Sequence, residues 1–105
     1  MAMSTIILLN DHPRTPLPIA VGRELRRRRT ALGLSQAAVA TPFTRALVCA
    51  VEHGRSLPSL TALAVFLEHL DVPLHEFFEG VHSQMTGEYN LGHGDREAPP
   101  SRRRR

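Results

Sequence analysis

Between Gly33 and Pro73 the chain meets a residue that bounds a helix at short intervals: Gly33, Pro42, Gly54, Pro58 and Pro73. Proline lacks a backbone donor and restricts the residue before it, and glycine takes up the left-handed conformation that closes a helix. The apolar residues between these stops are therefore confined to short helices, which must bury their faces on one another.

A first helix is expected from Ile19 to Leu32, with Val21, Leu25 and Leu32 on its inner face and Arg23, Arg26, Arg27 and Arg28 mostly elsewhere. Gly33 ends it, and Leu34 folds back on the last turn. Ser35 caps an alanine-rich second helix, Gln36 to Ala40, which Pro42 stops. Thr44 caps a third, Arg45 to His53, whose Val48 and Val51 with Leu47 form the inward stripe before Gly54. Ser59 caps a fourth, in which Leu60, Leu63, Ala64, Leu67 and Leu70 recur at the spacing of a buried face. Pro73 starts a last short helix anchored by Leu74, Phe77 and Phe78.

Residues 1–18 read as an N-terminal arm, with a β-prone run from Thr5 to Leu9 followed by Pro13, Pro16 and Pro18, which disfavour regular helix. After Gly80 apolar periodicity gives way to Gly, Pro and charge, so residues 81–105 read as a disordered tail ending in "SRRRR". The expected fold is all-α, a compact five-helix domain over residues 19–80. A folded unit of about 60 residues buries a modest share of its surface, and a dimer partner is a natural source of further stability.

All 13 basic residues of the 105-residue chain are arginine, and with 10 acids the net charge is +3. The charge is segregated. From Ile19 to Arg55 seven arginines face Glu24 and Glu52, while from Ser56 to Gly80 the four acids Glu68, Asp71, Glu76 and Glu79 stand without a basic residue. Such a division suits one surface turned toward a polyanion and a solvated acidic face turned away from it.

Several classes of function are disfavoured. The single cysteine, Cys49, allows no intramolecular disulfide and no multi-thiolate zinc site, which fits a reducing cytoplasm. It has no basic neighbour one turn away and reads as a packing residue, not a redox sensor. The six histidines lie at irregular spacings without paired ligands, so no metal or other cofactor is expected. "TIILL" is too short for a signal-peptide core or a membrane span, and a cytoplasmic location follows. Ser35 and Ser59 are caps, no glycine-rich loop follows a strand, and neither an enzyme nor a small-molecule site is indicated.

The order of parts is more specific than any one of them: an arginine-rich helix, "LGLSQ", an alanine-rich helix, a tight turn, a capped helix ending in "VEHGR", then "LPSL" and "DVPLHEFF". Over Ile19 to Gly80 this resembles the helix-turn-helix regulators of the phage-repressor and Cro type, the XRE family. The resemblance implies a repressor-like DNA-binding domain that docks its third helix in the major groove as a dimer. It places Gln36 where the family holds a phosphate and braces the recognition helix. Thr44, Arg45 and Ala46 fall in the turn that reaches base edges, with Ala50 one turn further on. It sets the amides near Gly54 and Arg55 where a phosphate is gripped, and it pairs Arg29 with Glu52. Typical members carry two more residues where this chain has "TPF", so the turn here is tighter and stiffened by proline.

Residue chemistry agrees with that assignment. Four consecutive arginines cover a full helical turn, so Arg26 to Arg29 cannot all face one ligand. With Arg29 given to Glu52, the others, Arg28 foremost, are left for phosphates, together with Gln36, Arg55 and the free amides at the starts of the second and third helices. Arg45 is the side chain suited to a bidentate contact with guanine, while Ala46, Ala50 and Leu47 suit thymine methyls. His53 is placed for a pH-tuned contact, and the terminal arginines suit equally a non-specific attraction through counterion release or a solvated tail. The expected function is a sequence-specific, double-stranded DNA-binding transcriptional regulator, by family habit a repressor, whose weak discrimination per subunit is multiplied in a homodimer. The alternative is a protein-interaction module, such as an antitoxin or adaptor, whose apolar third helix packs on protein.

Overall fold

The computed structural model describes residues 14–87. The arm from Thr5 to Leu9 and the terminal arginines lie outside them. Five helices are described: α1 (Leu17–Ala31), α2 (Gln36–Ala40), α3 (Arg45–Glu52), α4 (Leu60–Leu70) and α5 (Leu74–Thr86). Among the described residues there is no strand.

α1 starts two residues before the expected Ile19 because Pro16 occupies its N-cap and Pro18 its first turn. There the missing N–H has no intrahelical partner to lose and the fixed φ is already helical, so proline promotes the start it was expected to prevent. The helix closes as expected. Gly33 sits at φ 71° and donates to Thr30, and the Leu34 amide reaches back to the Arg29 carbonyl (3.2 Å). The three polar caps are also in place. Ser35 Oγ accepts from the Ala38 amide (3.0 Å), Thr44 Oγ1 from Leu47 (3.1 Å) and Ser59 Oγ from Ala62 (3.0 Å), each satisfying a donor that the first turn leaves without a partner.

The core is one cluster in which Val21 and Leu25 of α1, Val39 of α2, Val48 and Val51 of α3, Leu63, Phe66 and Leu67 of α4 and Phe77 of α5 meet. α1 lies against both α3 and α5, and α2 packs on α3 and α4. Where α1 crosses α3, a Cβ on Gly22 would overlap the carbonyl oxygen of Val51, so the two backbones approach as only glycine permits. α3 shows the expected inner face, with Val48 and Val51 buried and Leu47 packed beside them.

Three expected faces shift. Leu32 is 53% exposed, because it stands in the closing turn and not on the inner stripe of α1. In α4, Leu60 is 71% exposed and Ala64 is exposed, whereas Ala62 and Phe66 are buried. The helix is apolar almost all round, so the bulk of Phe66 sets its rotation. In α5 only Phe77 of the three anchors is buried; Leu74 and Phe78 are exposed, with the Phe78 ring edge-on to Phe77 at 5.7 Å.

α5 also runs on to Thr86, past the Gly80 boundary expected for the domain. Its inner face continues with the buried Gly80 and Val81, so the next turn has core to pack on even though the sequence beyond it turns polar. Its end is tied to the start of α1 by the Thr15 amide, which donates to the Met85 carbonyl (3.0 Å).

Glu24 of α1 is fully buried between α1 and α5. Arg27 donates to its two oxygens at 2.7 and 3.2 Å, Arg28 at 2.7 Å and Gln84 of α5 at 3.2 Å. A Cβ on Gly80 would overlap this carboxylate, so the missing side chain of one helix houses the charge of the other. A buried carboxylate is tolerable only when paired and hydrogen-bonded in this way.

Candidate nucleic-acid interface

The turn between α2 and α3 is short and held on every side. Thr41 leaves α2 at φ −52°, ψ 129°, the extended region imposed by the following proline, and the Thr41–Pro42 peptide is cis. Thr41 Oγ1 donates to the Ala37 carbonyl (3.2 Å), the Phe43 amide to Ala40 (2.6 Å), and His69 Nε2 of α4 contacts the Thr41 carbonyl at 2.7 Å. An acceptor-only carbonyl at that distance requires the His69 nitrogen to carry the proton. The Phe43 ring meets Phe66 edge-on at 6.1 Å. The tight "TPF" turn is therefore fixed to α4, and with it the start of α3.

α3 follows with one face buried through Val48 and Val51 and the opposite face open. Thr44, Arg45 and Ala46 are exposed, and Ala50 lies partly exposed further along. Thr44 Oγ1 takes the Leu47 amide, whereas the Arg45 and Ala46 amides have no acceptor among the described residues. Those two donors, with the positive end of the helix dipole, face outward beside the Arg45 guanidinium.

Behind this surface runs a chain of hydrogen bonds. Arg29 forks onto Glu52, with Nε to Oε2 at 2.6 Å and Nη2 to Oε1 at 2.9 Å, and its Nη1 donates to the Leu34 carbonyl (2.8 Å). The Arg29 to Glu52 pair implied by the family resemblance is present. The hydrogen bond to Glu52 raises the Arg29 pKa above its ordinary value, outweighing the opposing effect of burial. Gln36 Nε2 donates to Glu52 Oε1 (3.0 Å), and Arg45 Nη1 donates to Gln36 Oε1 (3.1 Å). The Glu52 side chain is 2% exposed, yet through Gln36 it is linked to an exposed arginine. Both partners of Gln36 lie on α3, the helix that the family resemblance has it brace; the particular bonds to Glu52 and Arg45 were not foreseen, because these side chains come together only through the geometry of the turn.

The other expected contacts divide. Arg55 is exposed and makes no ion pair among the described residues; Arg23 and Arg26 of α1 are in the same position. Arg28 is not brought to the α3 surface. Its Nε is on Glu24 and its Nη1 on Glu76 of α5 (3.0 Å), since α1 turns this position toward α5, and its charge is matched by two carboxylates. Glu76 is thereby drawn out of the acidic face, whereas Glu68, Asp71 and Glu79 are exposed. The amides of Gly54 and Arg55 are already engaged, donating to Val51 (3.0 Å) and Ala50 (2.9 Å) in the closing turn of α3. They are not free to grip a phosphate. His53 is exposed, with Nδ1 2.8 Å from the Cys49 carbonyl and 3.6 Å from Cys49 Sγ. Cys49 thus has a basic neighbour one turn away after all, four residues on along the same face.

Among the described residues no group of three or more His, Cys, Asp or Glu is placed to hold a metal ion. None of the described helices is long and apolar enough to cross a membrane.

Comparison with known proteins is consistent with this geometry. No curated protein matches the chain. Among solved structures, a single-residue mutant of the restriction-modification controller protein C.Esp1396I superposes with a TM-score of 0.61 at 20% identity, over 76% of this chain and 98% of that one. At that identity the likeness establishes the fold. The family model described as a helix-turn-helix domain matches residues 20–77, more than half of the chain. With its five-helix architecture and its capped third helix, the chain belongs to the helix-turn-helix family of DNA-binding regulators of the phage-repressor and Cro type.

Proposed function

We propose that the chain is a sequence-specific regulator of transcription that binds double-stranded DNA as a homodimer and acts as a repressor. The observation that carries this reading is the outward start of α3, where an arginine and two free amides stand on a helix whose other side is locked into the core. α3 enters the major groove, Arg45 takes guanine, and Ala46 and Ala50 lie against thymine methyls. Phosphates are met by the Arg45 and Ala46 amides and by Arg55, with the exposed His53 ring adding a further contact. A subunit with one bidentate contact discriminates by about 1–3 kcal/mol, and two subunits spaced by one turn of DNA multiply that selectivity.

The test is enrichment of bound duplexes from a random pool, followed by titration of the enriched duplex at several salt concentrations. A paired half-site spaced by one helical turn is the expected result, bound above a non-specific background that falls steeply with salt. If no sequence is enriched, the protein-interaction reading replaces this one. The exposed Leu57 and Leu60 are then the first place to look for a protein partner.

A further inference from the structure

Beside the core, α5 carries an apolar stripe that the described residues leave open. Leu74 and Phe78 stand four residues apart and Met85 seven further on, so the three share one face of the helix. Met85 packs on the core, whereas Leu74 and Phe78 are exposed. Two large apolar side chains on one face forgo the gain that a cover would bring.

The course of the chain supplies a cover. The Thr15 amide donates to the Met85 carbonyl (3.0 Å), so the segment that precedes α1 leaves the domain at the end of this stripe. At about 1.5 Å per residue along the axis, Phe78 lies about 10 Å and Leu74 about 16 Å from Met85. Leu9 lies six residues before Thr15, and six residues of chain reach about 20 Å at most. Thr5 to Leu9, "TIILL", holds four large apolar side chains and no charge, and the "NDHPR" that joins it to Thr15 is polar. Spacing agrees as well as reach. Alternate residues of a β-strand repeat about every 6.6 Å on one face, and residues four apart on a helix repeat about every 6 Å. Leu9 and Ile7 therefore match Phe78 and Leu74, both in separation and in order from Thr15.

We propose that Thr5 to Leu9, a run outside the described residues, covers the stripe on α5 of its own chain, with Leu9 against Phe78 and Ile7 against Leu74. A face of this kind otherwise invites apolar partners. The seated arm closes it, and displacing the arm opens it. Reading of DNA by α3 neither requires this contact nor is required by it.

The test uses the full chain. With Cys49→Ser in place, His75→Cys puts a single thiol for a spin label on the exposed side of α5, next to Leu74. Methyl signals of Ile7 and Leu9 are expected to broaden, to the same degree at every dilution. An unbroadened arm overturns the proposal. In a mixture of isotope-labelled chain without the spin label and spin-labelled chain without the isotope, those methyls should stay sharp; broadening there seats the arm on a second copy and overturns the proposal equally.

A thermodynamic cycle reads the same contact without a label. Ile7→Asp together with Leu9→Asp should lower Tm by about 4–8 °C. In a background of Leu74→Ser and Phe78→Ser the same pair should lower it no further, since its effect passes through the stripe. An unchanged Tm in the parent chain, or an equal fall in both backgrounds, places the arm elsewhere and removes the contact.

Discussion

Glu24 and Glu52 are built alike. Each carboxylate is buried, each accepts from guanidinium groups of the arginine run in α1, and each also accepts from a glutamine amide, Gln84 for Glu24 and Gln36 for Glu52. They differ in what lies beyond the amide. Gln84 ends its path on the α5 side of the molecule, and its oxygen makes no bond among the described residues. Gln36 passes its oxygen on to an exposed arginine at the start of α3. Burial and charge alone therefore do not separate the two carboxylates; the difference lies in whether the glutamine oxygen accepts from a side chain at the surface, as it does for Gln36 with Arg45.

The comparison can be broken most forcefully at Glu52. Glu52→Ala leaves Arg29 without its partner in a mostly buried position and should cost about 3 kcal/mol or more, read by chemical denaturation, together with a loss of base preference in whatever remains folded. Gly80→Val attacks the other cluster, pressing a side chain into the Glu24 carboxylate, and should cost about 2 kcal/mol. Here the ratio of specific to non-specific binding stays unchanged in titrations below the melting temperature. A Gly80→Val variant that altered base preference would show the two clusters to be coupled through α1.

Two surface substitutions sharpen the distinction from the DNA side. Arg45→Ala should leave stability within about 0.5 kcal/mol of the parent while removing about 1–3 kcal/mol of discrimination at one base pair, visible as tolerance of substitution there in a panel of duplex variants. Arg55→Ala has the smallest effect. Affinity should drop evenly across sequences and the slope of log affinity against log salt should become shallower by about 1, with base preference and stability untouched.

What was legible in the sequence was its punctuation. Ser35, Thr44 and Ser59 cap the helices they precede, and Gly33 and Pro42 end the helices before them, because these effects are local and act through the residue's own backbone. The rotation of α4 was not legible, since a helix that is apolar nearly all round offers two overlapping stripes and only the space around Phe66 chooses between them. The buried state of Glu24 was hidden for a different reason. Its acceptors are filled partly by Gln84, 60 residues away, in a stretch that reads as tail, and its room is made by the absence of a side chain at Gly80. The expected pair of Arg29 with Glu52 came from family resemblance, whereas the continuation to Gln36 and Arg45 is set by how the turn places the start of α3 beside α2.

The hydrogen bond from Thr15 to Met85 brings the beginning of α1 and the end of α5 to one point. The described part of the chain thus closes on itself as a near-ring, with the start of its first helix beside the end of its last. Joining the two ends by a short flexible linker and cutting instead in the exposed stretch between α3 and α4 would give a circular permutant in which the turn, α3 and both carboxylate clusters keep their neighbours.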